Sequence, residues 1–463
     1  MTALTRAPAS GRHMPLPAPT LSRALRLLPV VATVLLPAVP FTAASGDAGT
    51  VAPADVASAA LVLWCAVAVL RQRSRPLTPA AAVVFGLPVV GFAVATVTAA
   101  DPQAALPGFV RYLQVFVLVP VAVVLLVRDA RDFRVVAGGL VLLALAQGAV
   151  GVHQYATGTG ASYMGQDIRA VGTFGPTDVM GMATVVSYGL IAALALALRG
   201  PADAPAWLRL CAFASAAALV VPLALSFSRG AWIATAVAAF AVIALTRLRQ
   251  AARVLAAVAA LGVVLVGGLG IGSEMISERV SSITRVTDAP DRSVGDRYAM
   301  WAAAAGMWQE EPAAGVGLKG FPAHRDGHAS IGLSSGSDTA GAGREFEKQP
   351  LLSPHNMYLL VLAEQGLIGF TAFAGSLTAV LVLGVRRHVR AGRPEGAAGS
   401  ERVGSERVGR VGHAADCGLA AVGLMLWQTV DFLYADIGGP STALTGVVLG
   451  MAAWWALGRT AAA

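Results

Sequence analysis

Four polar clusters interrupt an apolar chain, and their residue types suit chemistry on a phosphorylated substrate. In Ser353-Pro-His-Asn-Met-Tyr358, Ser353 reads as an N-cap and Pro354 as a first helical residue, which puts His355 and Asn356 in the first turn of a helix. The positive end of a helix dipole disfavours imidazolium, so a ring held there stays available as a proton acceptor near neutral pH. A merely interfacial histidine at the lip of a membrane span is the plain alternative. In Ser226-Phe-Ser-Arg-Gly-Ala-Trp232, Gly230 permits a tight reversal, and the hydroxyls of Ser226 and Ser228 flank Arg229. A guanidinium presents a planar fork of donors that fits phosphate oxygens. The same side chain also serves as a headgroup anchor. Two further arginines stand in Arg169-Ala-Val-Gly-Thr-Phe-Gly175 and Asp296-Arg297-Tyr-Ala-Met-Trp301. Glu364, nine residues beyond His355, lies roughly 13 Å along the same helix, too far to orient the imidazole directly.

These residues must be positioned by membrane helices. Of 463 residues, 56% are hydrophobic and only 13% charged, and mean hydropathy is +0.67. This describes a polytopic membrane protein, not a soluble enzyme. The net charge of +8 sits mostly in short segments between apolar runs, as cytoplasmic loops require, and does not form a nucleic-acid surface. Cys65, Cys211 and Cys417 lack metal-ligand or disulfide spacing. The Gly315-Val-Gly-Leu-Lys-Gly-Phe321 element has neither the Walker spacing nor a preceding strand, which excludes a nucleotide loop.

Runs of spanning length lie near 27–44, 54–70, 80–98, 109–127, 135–152, 177–198, 208–226, 230–246, 252–271, 357–385, 415–434 and 440–457. The first also fits a cleaved signal peptide, because small residues follow it. Basic residues at 71–75, 128–134, 199–209, 247–253 and 386–410 fall on alternate connections, so both termini are expected in the cytoplasm. The expected architecture is an all-α polytopic membrane protein of about twelve transmembrane helices. Residues 1–271 form about nine spans, 272–354 a large, partly helical extracytoplasmic loop, and 355–463 about three spans. The segment from Arg297 to Glu310 reads as a helix whose Trp301 and Trp308 share one face, packed on the membrane surface. Gly327 to Gly343 has a mobile composition suited to a lid. The repeat around 399–411 reads as a flexible cytoplasmic loop. Arg111, Gln114, Gln147, His153, Gln154, Asp431 and Asp436 all gather toward the outer face. A solute transporter would instead need broken helices or ionisable residues at the midplane.

The ordered motifs Arg-x-x-Gly-Thr-Phe-Gly, Ser-x-Ser-Arg-Gly-Ala-Trp, Arg-x-x-x-Trp with Gly-Val-Gly, and His-Asn-x-Tyr-Leu-x-x-Leu-Ala-Glu-x-Gly-Leu-x-Gly resemble the O-antigen ligase and polymerase superfamily of integral membrane glycosyltransferases. The likeness covers roughly Arg169 to Gly369. Asp178 departs from it, since members often carry Asn there. The resemblance implies a fold similar to the GT-C class and transfer of a glycan from a polyprenyl diphosphate carrier to a glycan, lipid or protein hydroxyl outside the cytoplasmic membrane. The protein O-oligosaccharyltransferases share this carrier chemistry. It further implies an inverting reaction that needs neither metal nor cofactor, with Arg229, Arg297 and, more weakly, Arg169 on the diphosphate, and His355 activating the acceptor. Ser226, Ser228 and Asn356 are expected in support. Membrane lipids are expected partners and nucleic acid is not.

Overall fold

The computed structural model describes residues 19–40, 52–72, 77–163, 166–200, 204–246, 256, 292–330, 333, 351–391 and 414–458. These residues are mostly helical. The helices are α1 (Pro19–Leu35), α2 (Pro53–Gln72), α3 (Pro79–Val97), α4 (Pro102–Leu113), α5 (Val119–Leu126), α6 (Ala130–Thr157), α7 (Gly181–Arg199), α8 (Ala206–Leu225), α9 (Arg229–Ala244), α10 (Arg292–Glu310), α11 (Phe321–His328), α12 (Met357–Ala391), α13 (Ala415–Asp431) and α14 (Thr442–Leu457). A short antiparallel hairpin, β1 (Ala161–Tyr163) with β2 (Gln166–Arg169), follows α6. Helix starts coincide with side-chain caps: Thr78 accepts from Ala81 N at 3.2 Å, Asp101 from Gln103 N at 2.9 Å, and Asp129 from Asp132 N at 2.9 Å. Each satisfies a backbone donor that the helix itself leaves open.

Among the described residues, seven helices are long and apolar enough to cross a membrane: Pro53–Arg71, Pro79–Val97, Pro102–Leu126, Ala130–Thr157, Gly181–Arg199, Ala206–Leu225 and Met357–Ala391. The chain is therefore a multi-pass membrane protein. Arg229–Ala244 and Thr442–Leu457 are apolar but shorter. Apart from residue 256, the expected run at 252–271 lies outside the described residues, as do the lid-like stretch beyond 333 and the repeat around 399–411.

The bundle centres on α7, whose residues Met182 to Ala195 are buried apart from Thr184. It packs against α6, α8, α9 and α13. A second core unites α3, α4, α12 and α14 around Phe92, Tyr112, Phe116, Phe373 and Phe432. Lipid is as apolar as these side chains, so close packing, and not water exclusion, holds such helices together. Gly91 of α3 shows this, since a Cβ there would come within 2.8 Å of the Gly369 Cα on α12. At the end where α6 and α13 begin, Arg134 grips Asp416 with Nε at 2.6 Å and a second nitrogen at 2.9 Å, and Arg26 meets buried Asp132 at 2.8 Å.

The run from 357 is not one straight span. Gly366 interrupts α12 with φ 58° and ψ −162°, a conformation open essentially to glycine. The freed backbone groups pair with the segment before α11: Leu367 N donates to Pro312 O at 2.9 Å, Ile368 N to Ala313 O at 3.1 Å, and Val316 N to Ala363 O at 2.9 Å. The 25 residues beyond the break still reach about 37 Å, enough to cross the membrane. Residues 357–365 thus form a separate short helix. The buried face of α10 also departs from expectation. Met300, Ala303, Ala304 and Met307 form a third core with Phe321, Leu351, Leu360 and Ala363, so α10 docks on α11 and this short helix.

Candidate active site

The four stretches that carry Arg169, Arg229, Arg297 and His355 fall at the end of the bundle opposite the Arg134–Asp416 pair. Arg169 closes β2, and the next residue ties the hairpin to α8 through Ala170 N and Leu225 O at 3.1 Å. The Arg169 guanidinium then donates from Nε to Ser226 O at 3.0 Å and reaches Met180 Sδ at 3.1 Å. The preceding helix supports the turn that follows Arg169. Gln147 and Gln154, seven residues apart on α6, accept from the backbone nitrogens of Thr173, Val171 and Gly172 at 2.8–3.1 Å. Both side chains are thus used to shape the 171–175 turn.

Arg229 is the first residue of α9, and Ser228 caps it by accepting from Ala231 N at 3.3 Å. Ser226 donates its hydroxyl to Leu223 O at 2.6 Å and accepts from Ser228 N at 3.3 Å. Both hydroxyls, expected to flank the guanidinium as donors, therefore shape the backbone of the turn. Phe227 between them has φ 50°. Gly230 lets the turn close on Tyr434, whose Cβ lies 2.8 Å from where a glycine-replacing Cβ would sit. The Arg169 and Arg229 stretches are in this way joined to each other and to the 431–436 segment.

His355 sits differently from expectation. Helix α12 begins at Met357, and Asn356, not Ser353, is its cap, accepting from Leu359 N at 3.0 Å while donating from Nδ2 to Leu433 O at 3.1 Å. Asn is at least as good a cap as Ser, and here it also joins two segments. His355 is left outside the helix with φ 48°. Among the described residues only Phe227, Lys319 and His355 are non-glycine positions with positive φ, and all three lie at this end. Such conformations persist where surrounding structure imposes them, often at functional sites. The imposition is visible: Met357 N donates to Phe432 O at 2.9 Å and Ala435 O at 3.1 Å, and Trp301 Nε1 donates to Pro354 O at 2.9 Å.

That last bond brings α10, and with it Arg297, to the histidine. His355 is held below the ordinary histidine range chiefly by burial; nearby Asp436 opposes the shift and nearby Arg297 adds to it. Burial and the cation, more than the helix dipole inferred from sequence, keep the ring neutral. Asp431 lies within electrostatic range of Asp436, Arg297 and Asp178. Asp178 accepts from Ser441 N at 3.0 Å, and burial raises its carboxyl to about 6 despite hydrogen bonds from Ser441 and Gly181 that pull it down. The sequence placed Asp431 and Asp436 near the outer face without a role. Their only signal was two carboxylates closing an apolar run.

Arg297 and His355 are thus brought within electrostatic range of each other, and Arg169 is fixed to the Arg229 turn. The two halves meet through Tyr434 and the carboxylates beside it. The arrangement combines a neutral imidazole, guanidinium groups able to receive an anion, and acidic residues able to stabilise an imidazolium. Among the described residues no three His, Cys, Asp or Glu side chains are grouped to hold a metal ion. No curated protein matches the chain. The model of the O-antigen ligase family matches residues 213–374, from α8 through the Arg229 turn, Arg297 and His355 into α12, and that stretch is similar to the family.

Proposed function

We propose that the chain is a glycosyltransferase that moves a glycan from a polyprenyl diphosphate carrier to an acceptor hydroxyl at the outer face of the cytoplasmic membrane. The observation that carries this reading is the placement of His355 within range of both Arg297 and Asp436. In the reaction the acceptor oxygen bonds to the anomeric carbon, with inversion, as the carrier diphosphate departs with the electron pair of the broken C–O bond. His355 takes the hydroxyl proton. Arg297 and Arg229, with Arg169 behind them, stabilise the charge that builds on the leaving diphosphate, the part a divalent ion plays in other enzymes. Asp436 stabilises the imidazolium formed in that step.

In this reading residues 1–271 and 355–463 form the membrane domain of about twelve spans, residues 272–354 are the extracytoplasmic loop, and both termini are cytoplasmic. Single cysteines at 335 and 405 test the orientation: impermeant reagents should label only the first from outside. The chemical assignment is tested with His355→Ala in purified, folded protein. Binding of undecaprenyl diphosphate should persist while transfer slows by about a hundred- to ten-thousand-fold. Normal transfer by that variant would overturn the assignment.

A further inference from the structure

A cavity of about 600 Å³ opens on the side of the bundle between α2 and α4, lined by Asp55, Leu106, Pro107, Val110, Arg111 and Gln114. None of the residues assigned to the reaction lines it. Its apolar wall faces away from the protein: Leu106 is 54% and Val110 60% exposed, on a segment that crosses the membrane, so this face meets lipid. Its polar wall is an ion pair between Arg111 and Asp55, whose side chains are 26% and 23% exposed and therefore within reach of a molecule in the cavity. A guanidinium carries five donors. Beyond the bond to Asp55, Arg111 makes two long contacts among the described residues, Nη1 to Gln114 Oε1 and Nη2 to Gly439 O, both at 3.4 Å. The backbone beside the cavity is irregular as well. Pro107 removes one helical hydrogen bond of α4, and Gln114 opens a π-helical turn that runs to Leu118, a feature often found at functional sites.

Charged side chains on a lipid-facing surface are costly unless water or headgroups reach them. Asp55 is the third residue of α2, and Arg111 is tied to Gly439, three residues before α14 begins, so the pair stands toward helix ends and not at the midplane. Pockets between membrane helices at that level bind lipid headgroups. The two charges decide which headgroup fits. A phosphate suits the Arg111 fork, and an ammonium suits the Asp55 carboxylate. We infer that this cavity is a binding site for a zwitterionic phospholipid with a primary ammonium, of the phosphatidylethanolamine type, with its phosphate on Arg111, its ammonium on Asp55 and an acyl chain along Leu106 and Val110. Phosphatidylglycerol brings a phosphate to the same place but no cation for Asp55, and the carboxylate then repels it. Phosphatidylcholine brings a cation that has no N–H to donate. The recess thus selects by charge pattern and by hydrogen bonding together, and it does so independently of the transfer reaction.

The test is native mass spectrometry of the purified full-length chain titrated with phosphatidylethanolamine, phosphatidylglycerol or phosphatidylcholine of identical acyl chains. The first phosphatidylethanolamine should bind with a Kd about tenfold or more below that of either other lipid, the effect of one hydrogen bond to a charged group. Asp55→Asn should bring phosphatidylethanolamine and phosphatidylglycerol to equal affinity. Val110→Trp fills the recess from an exposed position and leaves both charges in place, so it should abolish the preference with Tm unchanged. Should Asp55→Asn fail to fold, Val110→Trp decides alone. Equal binding of the three lipids by the unaltered chain would overturn the inference, as would a preference that survives Val110→Trp. Displacement of bound phosphatidylethanolamine by an equal concentration of undecaprenyl phosphate would assign the recess to the carrier and overturn it too.

Discussion

Trp301 Nε1 donates to the carbonyl of Pro354 at 2.9 Å, the residue before His355. Trp301 stands four positions after Arg297 on α10, so this hydrogen bond ties the helix that carries the guanidinium to the residue before the histidine. Trp301→Phe keeps the ring and removes the donor. A hydrogen bond of this type contributes about 1 kcal/mol, so Tm should fall slightly. Transfer should fall by about tenfold or more, because misplacement of a base is costly even when folding survives. Activity and melting measured on the same preparation check this.

A second expectation concerns pH. The imidazole of His355 is held below the usual histidine range, first by burial. The acid limb of kcat/KM should therefore lie below about 6.5, and Arg297→Gln, by removing a neighbouring cation, should move it upward. For stability the unfolded histidine binds its proton more readily than the folded one, so this group favours folding at high pH and opposes it as pH falls below the unfolded value. His355→Asn should flatten that part of the stability profile below the ordinary histidine value of about 6.5.

Arginine geometry can be separated from arginine charge. Arg229→Lys and Arg297→Lys keep a cation but lose the planar fork. Transfer should drop by about a hundredfold, and undecaprenyl diphosphate binding should weaken, with fold and Tm preserved. Unchanged binding and transfer in both variants would contradict the diphosphate role.

Asp178 should register in the opposite sense to His355. Burial lifts its carboxyl to about 6, above the unfolded value of about 3.9. Between those values the folded state holds more protons, so stability declines as pH rises through about 6. Asp178→Asn leaves an oxygen to accept from Ser441 N and removes the charge. It should raise Tm at pH 7.5 more than at pH 4.5, which paired thermal melts would detect.

Gly366→Ala should damage the site without touching it. The φ 58°, ψ −162° conformation costs a non-glycine residue about 1–3 kcal/mol, and the new methyl group meets the backbone of Ala313 and Ala314. The pairing of 312–316 with the break should loosen, lowering Tm and transfer together. Limited proteolysis should then cut first near Pro312.

The amino-acid sequence by itself determined that the chain is a membrane protein, the approximate places of its membrane helices, and which polar residues stand out against them. Apolar run length and the scarcity of charge are local quantities, so α2, α3, α6, α7 and α8 could be read directly from them. The arginines and His355 stood out because polar groups near membrane depth are costly to keep. The tertiary structure decided what depends on contacts between segments far apart in the chain. Ser353 and Asn356 are both good caps, and only the bond from Asn356 to Leu433, 77 residues away, selects Asn356 and leaves His355 outside the helix. A glycine in an apolar run is common in membrane helices. The break at Gly366 exists because Pro312, Ala313 and Val316 take up the backbone groups it frees. Asp431 and Asp436 looked like the polar end of a span. Their place beside His355 and Arg297 arises only when the 431–436 segment folds across the start of α12 and α10 is tied to Pro354. Such long-range pairings carry no periodicity in sequence, and they alone convert scattered polar residues into a site.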